Sequence, residues 1–258
     1  MINSKEIKQA ALNKLDKKQA LQVSAVFVLA SVALSYLLTY VSALAQNAPI
    51  LYAAASIIYL ALFLPLSFGF ISSMSKLYEG KKVSATTIFN EGILNFTKTI
   101  KIFLLTVLKM ILPSFIIIAA VIGILFLTVQ NIPPTSENWS GYSLYALLLF
   151  LVGLLGIALS AIPYVLSSYI LASNKDMKAK EIIETSSSLM ENKKWNFVKL
   201  IISFLGWYIV LAVIVAVGKM QFGETIANIL NWIGMFLLMP YLITSIRVFY
   251  EECNDEKE

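Results

Sequence analysis

The chain has 258 residues, of which 59% are hydrophobic and only 14% are charged, and its formal net charge is +5. Its mean hydropathy is +0.79. A soluble domain of this length could not bury so much apolar surface in one core, so lipid is the expected solvent. The sequence contains no histidine and a single cysteine, Cys253. These counts exclude histidine-dependent hydrolases and metal sites, cysteine metal sites, and disulfides within one chain.

The predicted elements begin with a polar, lysine-rich segment, residues 1–20. Ile7, Ala11 and Leu15 recur there every four residues, which predicts a weakly amphipathic helix. Apolar runs long enough to cross a bilayer follow. They predict spans at residues 21–45, 50–73, 102–129, 143–171, 195–217 and 225–249, followed by an acidic tail at 251–258. The sequence therefore predicts an all-α, polytopic transmembrane bundle of six spans, arranged as three hairpins in a membrane domain at 21–250.

Two segments between the spans have the periodicity of amphipathic helices that lie at a membrane surface. The first is residues 84–101, whose expected polar face consists of Asn90, Glu91, Asn95 and Lys98. The second is residues 176–194, whose expected apolar face consists of Ile182, Ile183, Leu189 and Met190. Both segments are expected to be interfacial helices on the cytoplasmic side.

The distribution of basic residues predicts the orientation. Lysines cluster in the N-terminal segment, in residues 74–101 and in residues 172–199, whereas the three connections on the other side contain only Lys219. Basic connections face the cytoplasm in multi-pass proteins. The sequence therefore predicts a bacterial cytoplasmic membrane protein with both termini in the cytoplasm, where the lysines meet anionic lipid headgroups rather than nucleic acid.

Prolines recur at one depth in the returning spans. Pro65, Pro163 and Pro240 each precede a polar exit residue by eleven positions, and Pro113 lies at a similar depth in the third span. A proline inside a membrane helix kinks it and leaves a carbonyl without its usual donor. Two interpretations stay open: the kinks surround a cavity, or neighbouring hydroxyls satisfy the carbonyls and the helices pack closely.

Three residues are candidates for a polar or substrate contact. Lys109 is the only charge well inside a predicted span, and Ser167 and Ser168 follow the proline of the fourth span. Lys109 either extends its ammonium group to the interface, contacts a polar substrate, or serves as the base of a Ser-Lys pair. No Asp or Glu lies inside a predicted span, so the usual carboxylate relay of ion-coupled transport is absent.

The second half of the chain carries a series of short motifs. They are Ile170-Leu171-Ala172, Leu189-Met190, Lys194-Trp195, Gly206-Trp207, Pro240-Tyr241 and Phe249-Tyr250-Glu251. Over about 163–251 this series resembles the bacterial integral membrane family catalogued as domain of unknown function 975. Asn192 precedes Lys193-Lys194-Trp195 where the family tends to have Gly-Asn-Lys-Trp, and asparagine can end a helix in the left-handed conformation. The resemblance implies a membrane protein and brings no catalytic residue.

These observations favour a non-enzymatic membrane protein that scaffolds or regulates partners through its cytoplasmic helices. No cofactor site, metal site or catalytic set is predicted, and the expected partners are lipids and a protein. The alternative is a permease-like transporter, or a lipid- or peptide-binding protein, with a cavity at the proline kinks.

Overall fold

The computed structural model describes residues 3–44, 48–131 and 139–255, which form ten α-helices and one 3₁₀ turn. The helices are α1 (Ser4–Lys14), α2 (Lys17–Leu44), α3 (Pro49–Tyr78), α4 (Thr87–Leu94), α5 (Phe96–Asn131), α6 (Trp139–Ala161), α7 (Ser167–Ser173), α8 (Ala179–Leu189), α9 (Lys194–Phe222) and α10 (Glu224–Asp255). The 3₁₀ turn, Ile162–Tyr164, joins α6 to α7 within one span. Six helical stretches are long and apolar enough to cross a membrane, so the predicted six-span helical bundle is confirmed.

Three consecutive units of the chain share one order of elements: a short helix, a span, and a returning span that contains a proline. The units are α1–α3, α4–α7 and α8–α10. Each short helix packs against the returning span of another unit, α4 on α3, α8 on α7 and α1 on α10. Because the last contact joins the first unit to the third, the three units close into a ring.

The packed core lies at the end of the bundle that carries the three short helices, here called the lysine-rich side. Tyr169, Phe204 and Phe249 are almost fully buried there, and the core draws side chains from α1, α3, α5 and α7–α10. Farther along the spans the side chains are exposed, as for Leu112 at 67% and Phe150 at 59%. Such faces are stable only against lipid or other apolar helices, which agrees with a membrane environment.

The predicted helix at 84–101 is two helices, because the backbone at Asn95 leaves the helical conformation between α4 and α5. Half of its expected polar face is also buried, while Asn90 is exposed as expected. Glu91 and Asn95 are buried at 5% and 6% exposure, whereas Phe89 and Ile93 are exposed at 44% and 71%. Glu91 is buried because Ser72, Lys76 and Lys175 supply hydrogen bonds and opposite charges to its carboxylate.

A pair of glycines lets α4 approach α3 at backbone distance. A methyl group added to Gly69 would lie 2.0 Å from the carbonyl oxygen of Ile88, and one added to Gly92 would lie 2.6 Å from that of Pro65. Heavy atoms do not approach so closely without displacement, so only glycine fits either position. This crossing fixes α4 and its acidic residue, Glu91, against the returning span of the first unit.

The predicted apolar face of α8 is confirmed, since Ile182, Ile183 and Met190 are fully buried and Leu189 is 3% exposed. The turn after α8 contains Asn192 with a φ of 63°, the left-handed conformation expected for it. α9 begins two residues later, at Lys194. The short turn therefore redirects the chain from α8 into the fifth span.

Candidate functional site

A cavity of about 230 Å³ lies between α3, α5, the 3₁₀ turn and α7. The predicted contact residues Ser167 and Ser168 both line it. The other hydroxyl-bearing residues of its wall are Ser67, Thr99, Thr106 and Tyr164. The hydroxyls lie between Phe68, Ile102, Phe103 and Leu171, so the cavity has a polar set of groups and an apolar wall. We call it the hydroxyl cavity.

Lys109 does not line the hydroxyl cavity. It lies in a separate groove of about 430 Å³ between α5 and α8, lined otherwise by Glu184, Ser187, Ser188, Glu191 and Lys194. α8 packs along this part of α5 and brings its exposed acidic residues to the same groove. The structure therefore brings Ser167 and Ser168 together and separates Lys109 from them. We call this second feature the mixed-charge groove.

Pro163's own carbonyl, at the kink, accepts a hydrogen bond from the next unit. The hydroxyl of Ser186 on α8 donates a hydrogen bond of 2.8 Å to the carbonyl oxygen of Pro163. Ser186 is fully buried, so α8 is fixed to the 3₁₀ turn that forms one wall of the hydroxyl cavity. A neighbouring hydroxyl therefore bonds a carbonyl at this kink, and a cavity lies beside it.

The other three prolines differ in their surroundings. Pro240 is buried in α10, and Pro65 is buried where α4 crosses α3. Pro65 also borders an apolar groove of about 420 Å³ between α2, α3 and α4. Pro113 lies on α5 among exposed apolar residues such as Leu112 and Phe115. The four predicted kinks therefore do not surround one shared cavity.

A buried carboxylate on the lysine-rich side forms the first of two ionic clusters. Glu91 accepts hydrogen bonds from Lys76 at 2.5 Å, from Lys175 at 2.9 and 2.8 Å, and from the hydroxyl of Ser72 at 3.1 Å. Burial raises the pKa of Glu91, but the hydrogen bonds and charges of the two lysines outweigh it and hold that pKa below its ordinary value. Glu91 is therefore an ionised structural anion that ties α4 to α3 and to the segment after α7.

The second ionic cluster surrounds the only arginine of the chain, Arg247 on α10. Its guanidinium donates to the hydroxyl of Ser173 at 2.7 Å and to the carboxylates of Glu79 and Glu251, each at 3.1 Å. Its planar group also lies 5.0 Å from the ring centre of Tyr250. Arg247 is 5% exposed, and arginine suits such a site because it offers several donors in a fixed plane. The cluster joins the ends of all three returning spans.

Sequence reasoning missed both ionic clusters. Glu91 looks like a solvated residue on an amphipathic helix, and its lysine partners lie 15 and 84 residues away in the chain. Arg247 could have been singled out, because it is one arginine against nineteen lysines and it lies near the end of a predicted span. Within the described ranges, no group of three or more His, Cys, Asp or Glu side chains could hold a metal ion. Both clusters join helices through ion pairs.

Comparison with known families matches residues 1–257 to the family described as "Protein of unknown function (DUF975)". A search of curated proteins finds no match. A search of solved structures likewise finds none. The family match extends the resemblance seen over residues 163–251 to nearly the whole length, including the α3–α4 crossing and both ionic clusters. The chain therefore belongs to the DUF975 family.

Proposed function

We propose that this protein is a non-enzymatic scaffold of the bacterial cytoplasmic membrane, which binds a partner protein through its lysine-rich side. The observation that carries the proposal is the position of the mixed-charge groove. This exposed polar groove lies on the side of the bundle where the core is densest and where Glu91 and Arg247 fix the helices. Because the helices beneath the groove are tightly packed, its side chains are held in one arrangement, which lowers the entropic cost of binding.

The charges of the groove favour a protein partner over a lipid headgroup. Glu184 and Glu191 lie beside Lys109 and Lys194, so the groove offers both signs. Anionic headgroups are attracted to lysine clusters and repelled by carboxylates, whereas protein surfaces pair with both. The cytoplasmic orientation is part of the proposal and is supported by the lysine distribution.

Site-specific photo-crosslinking in native membranes tests this role. We expect a photoreactive residue at Ser187, in the groove, to give one discrete protein adduct, and a probe at Met220 to give none. Met220 is 84% exposed and lies at the opposite end of α9, which makes it a matched membrane control. A Glu184→Lys, Glu191→Lys double variant should abolish the adduct. Lipid adducts alone, strengthened by the same charge reversal, would contradict the proposal.

A permease-like or lipid-binding role is the second candidate, and the hydroxyl cavity is the observation that favours it. The cavity lies beside a proline kink on the returning span of the second unit, as expected for a binding site at broken helices. Reconstitution into vesicles tests the transport form of this role. Flux of a lipid or peptide that Ser168→Trp blocks would favour it over the scaffold.

A further inference from the structure

We infer that the hydroxyl cavity binds the neutral ester or polyol group of an amphiphile. This inference is independent of the scaffold role and gives the second candidate a ligand class. Three observations support it. Two hydroxyls in the cavity wall lack hydrogen-bond partners, the residues that line the cavity are uncharged, and the cavity lies at the depth of a lipid's polar groups.

Two buried hydroxyls in the cavity wall have no hydrogen-bond partner among the described residues. They are the Oγ1 of Thr99 on α5 and the Oγ of Ser167 on α7, in residues that are 8% and 3% exposed. Buried polar side chains are nearly always paired. Hydroxyls in helices usually donate to a carbonyl three or four residues earlier, as Ser67 and Ser75 do here. Both oxygens are shielded in this conformation, so each hydroxyl would turn about its Cα–Cβ bond to meet a bound molecule.

The chemistry of the wall selects a neutral, hydrogen-bonding ligand. A hydroxyl both donates and accepts, so Thr99 and Ser167 can pair with an ester carbonyl or with an alcohol. None of the residues that line the cavity is charged, and burying an ionic group there would lack a compensating charge. The aromatic rings of Phe68 and Phe103 form an apolar surface for an attached hydrocarbon chain.

The depth and size of the cavity match the polar part of a lipid. Ser167 precedes the exit residue Asn174 by seven positions, which is about 10 Å along a helix. The cavity therefore lies in the leaflet nearer the lysine-rich side, below the headgroups. Its volume of about 230 Å³ is smaller than a pocket for a whole drug-sized ligand. It fits a glycerol-sized group whose acyl chains extend into the bilayer. A free polyol from solution offers the same chemistry.

Binding to the full-length protein in detergent, measured by native mass spectrometry, tests the inference. The probes are dioleoylglycerol, glycerol alone, and dioleoyl-phosphatidylglycerol. We expect dioleoylglycerol to bind, and a Thr99→Val, Ser167→Ala variant to bind it about 10- to 30-fold more weakly, as for two lost neutral hydrogen bonds. A Ser35→Ala, Thr39→Val variant is the control, because both hydroxyls bond within α2 and both residues are exposed.

A second variant and the other probes separate the remaining outcomes. Thr99→Ser keeps the hydroxyl and should bind dioleoylglycerol as wild type does. If Thr99 acted only through the packing of its methyl group, Thr99→Ser would weaken binding as well. Equal affinity of glycerol and dioleoylglycerol, lost in the double variant, would support the same site with a free polyol as its source. Three results would overturn the inference: unchanged binding in the double variant, preference for the anionic lipid, or occupancy by water only. None of them bears on the crosslinking test of the scaffold role.

Discussion

The hydroxyl of Ser24 on α2 donates a hydrogen bond of 2.9 Å to the carbonyl oxygen of Phe236 on α10, 212 residues farther along the chain. Phe236 lies four residues before Pro240, so its carbonyl is the one that a proline at this position leaves without a backbone donor. Ser24 is fully buried. The first unit thus supplies the hydrogen bond that the kink in the third unit lacks.

A double-mutant cycle tests that relationship. We expect Ser24→Ala to lower the free energy of unfolding by about 1 kcal/mol, because the Phe236 carbonyl loses its donor. Pro240→Ala restores the backbone N–H, so Ser24→Ala should cost much less in that background. Unfolding in mixed detergent micelles measures both values. Ser35→Ala, an exposed residue with a bond inside its own helix, is the control. Equal costs in the two backgrounds would contradict the relationship.

The α3–α4 crossing predicts that glycine-to-alanine substitution changes stability differently at two helical positions, Gly69 and Gly206. Gly69→Ala should destabilise the protein by about 1–3 kcal/mol, since the added methyl group meets the Ile88 carbonyl. Gly206→Ala on α9 meets nothing within 4 Å and should be neutral or stabilising by up to about 1 kcal/mol. Thermal unfolding of both variants in one detergent gives the comparison. A tolerated Gly69→Ala would show that α4 does not contact α3 so closely.

The cluster around Glu91 predicts a dependence of stability on acidic pH. The pKa of Glu91 is lowered in the folded protein, so its contribution is fully present above the pKa of an unfolded glutamate, about 4.3. That contribution is lost as the pH falls through the lowered folded-state pKa. Wild type should therefore lose stability in acid relative to Glu91→Gln, whose own stability is lower at neutral pH.

Melting temperatures between pH 3 and pH 7, on both sides of the unfolded-state pKa of about 4.3, measure this difference. Glu184→Gln serves as the control, because its side chain is 52% exposed and its ion pair with Lys180 is 3.9 Å long. The control should follow wild type at every pH. A constant gap between wild type and Glu91→Gln would show that Glu91 does not change its ionisation in this range.

We expect lysine to be a poor replacement for Arg247, although it keeps the positive charge. Arg247→Lys should lower the free energy of unfolding by about 1–3 kcal/mol, because an ammonium group cannot reach Ser173, Glu79 and Glu251 in one plane. Lys219→Gln, which removes one partner of an exposed ion pair with Glu224, should cost less than about 1 kcal/mol. Chemical unfolding without guanidinium salts measures the free energy of unfolding of both variants. A neutral Arg247→Lys would contradict the assigned role of the guanidinium.

The six spans could be predicted because each is a local property, an apolar run of sufficient length. The left-handed Asn192 was likewise predictable from one turn of sequence. The inward face of α4 was not, because the burial of Glu91 depends on Lys175, which lies 84 residues away. Amphipathic periodicity distinguishes two faces of a helix but does not say which one a charged neighbour will cover.

The candidate residues show the same limit. Ser167 and Ser168 were predicted from their place after a kink, and one turn of helix suffices to put them in the same cavity wall. Lys109 was predicted as a contact because it is the only charge well inside a predicted span, and a residue's depth does not fix the direction in which it faces around the bundle. Its neighbours, such as Glu184, come from α8, which packs beside α5 only in the folded ring.

Closure of the ring has a consequence for biosynthesis. α1 is made before α10, yet Ile7 and Ala11 are buried in a core that includes Phe249 and Cys253 of α10. α1 must therefore stay undocked until α10 has been inserted. Its basic, weakly amphipathic sequence can bind anionic headgroups at the membrane surface until its docking site on α10 has formed.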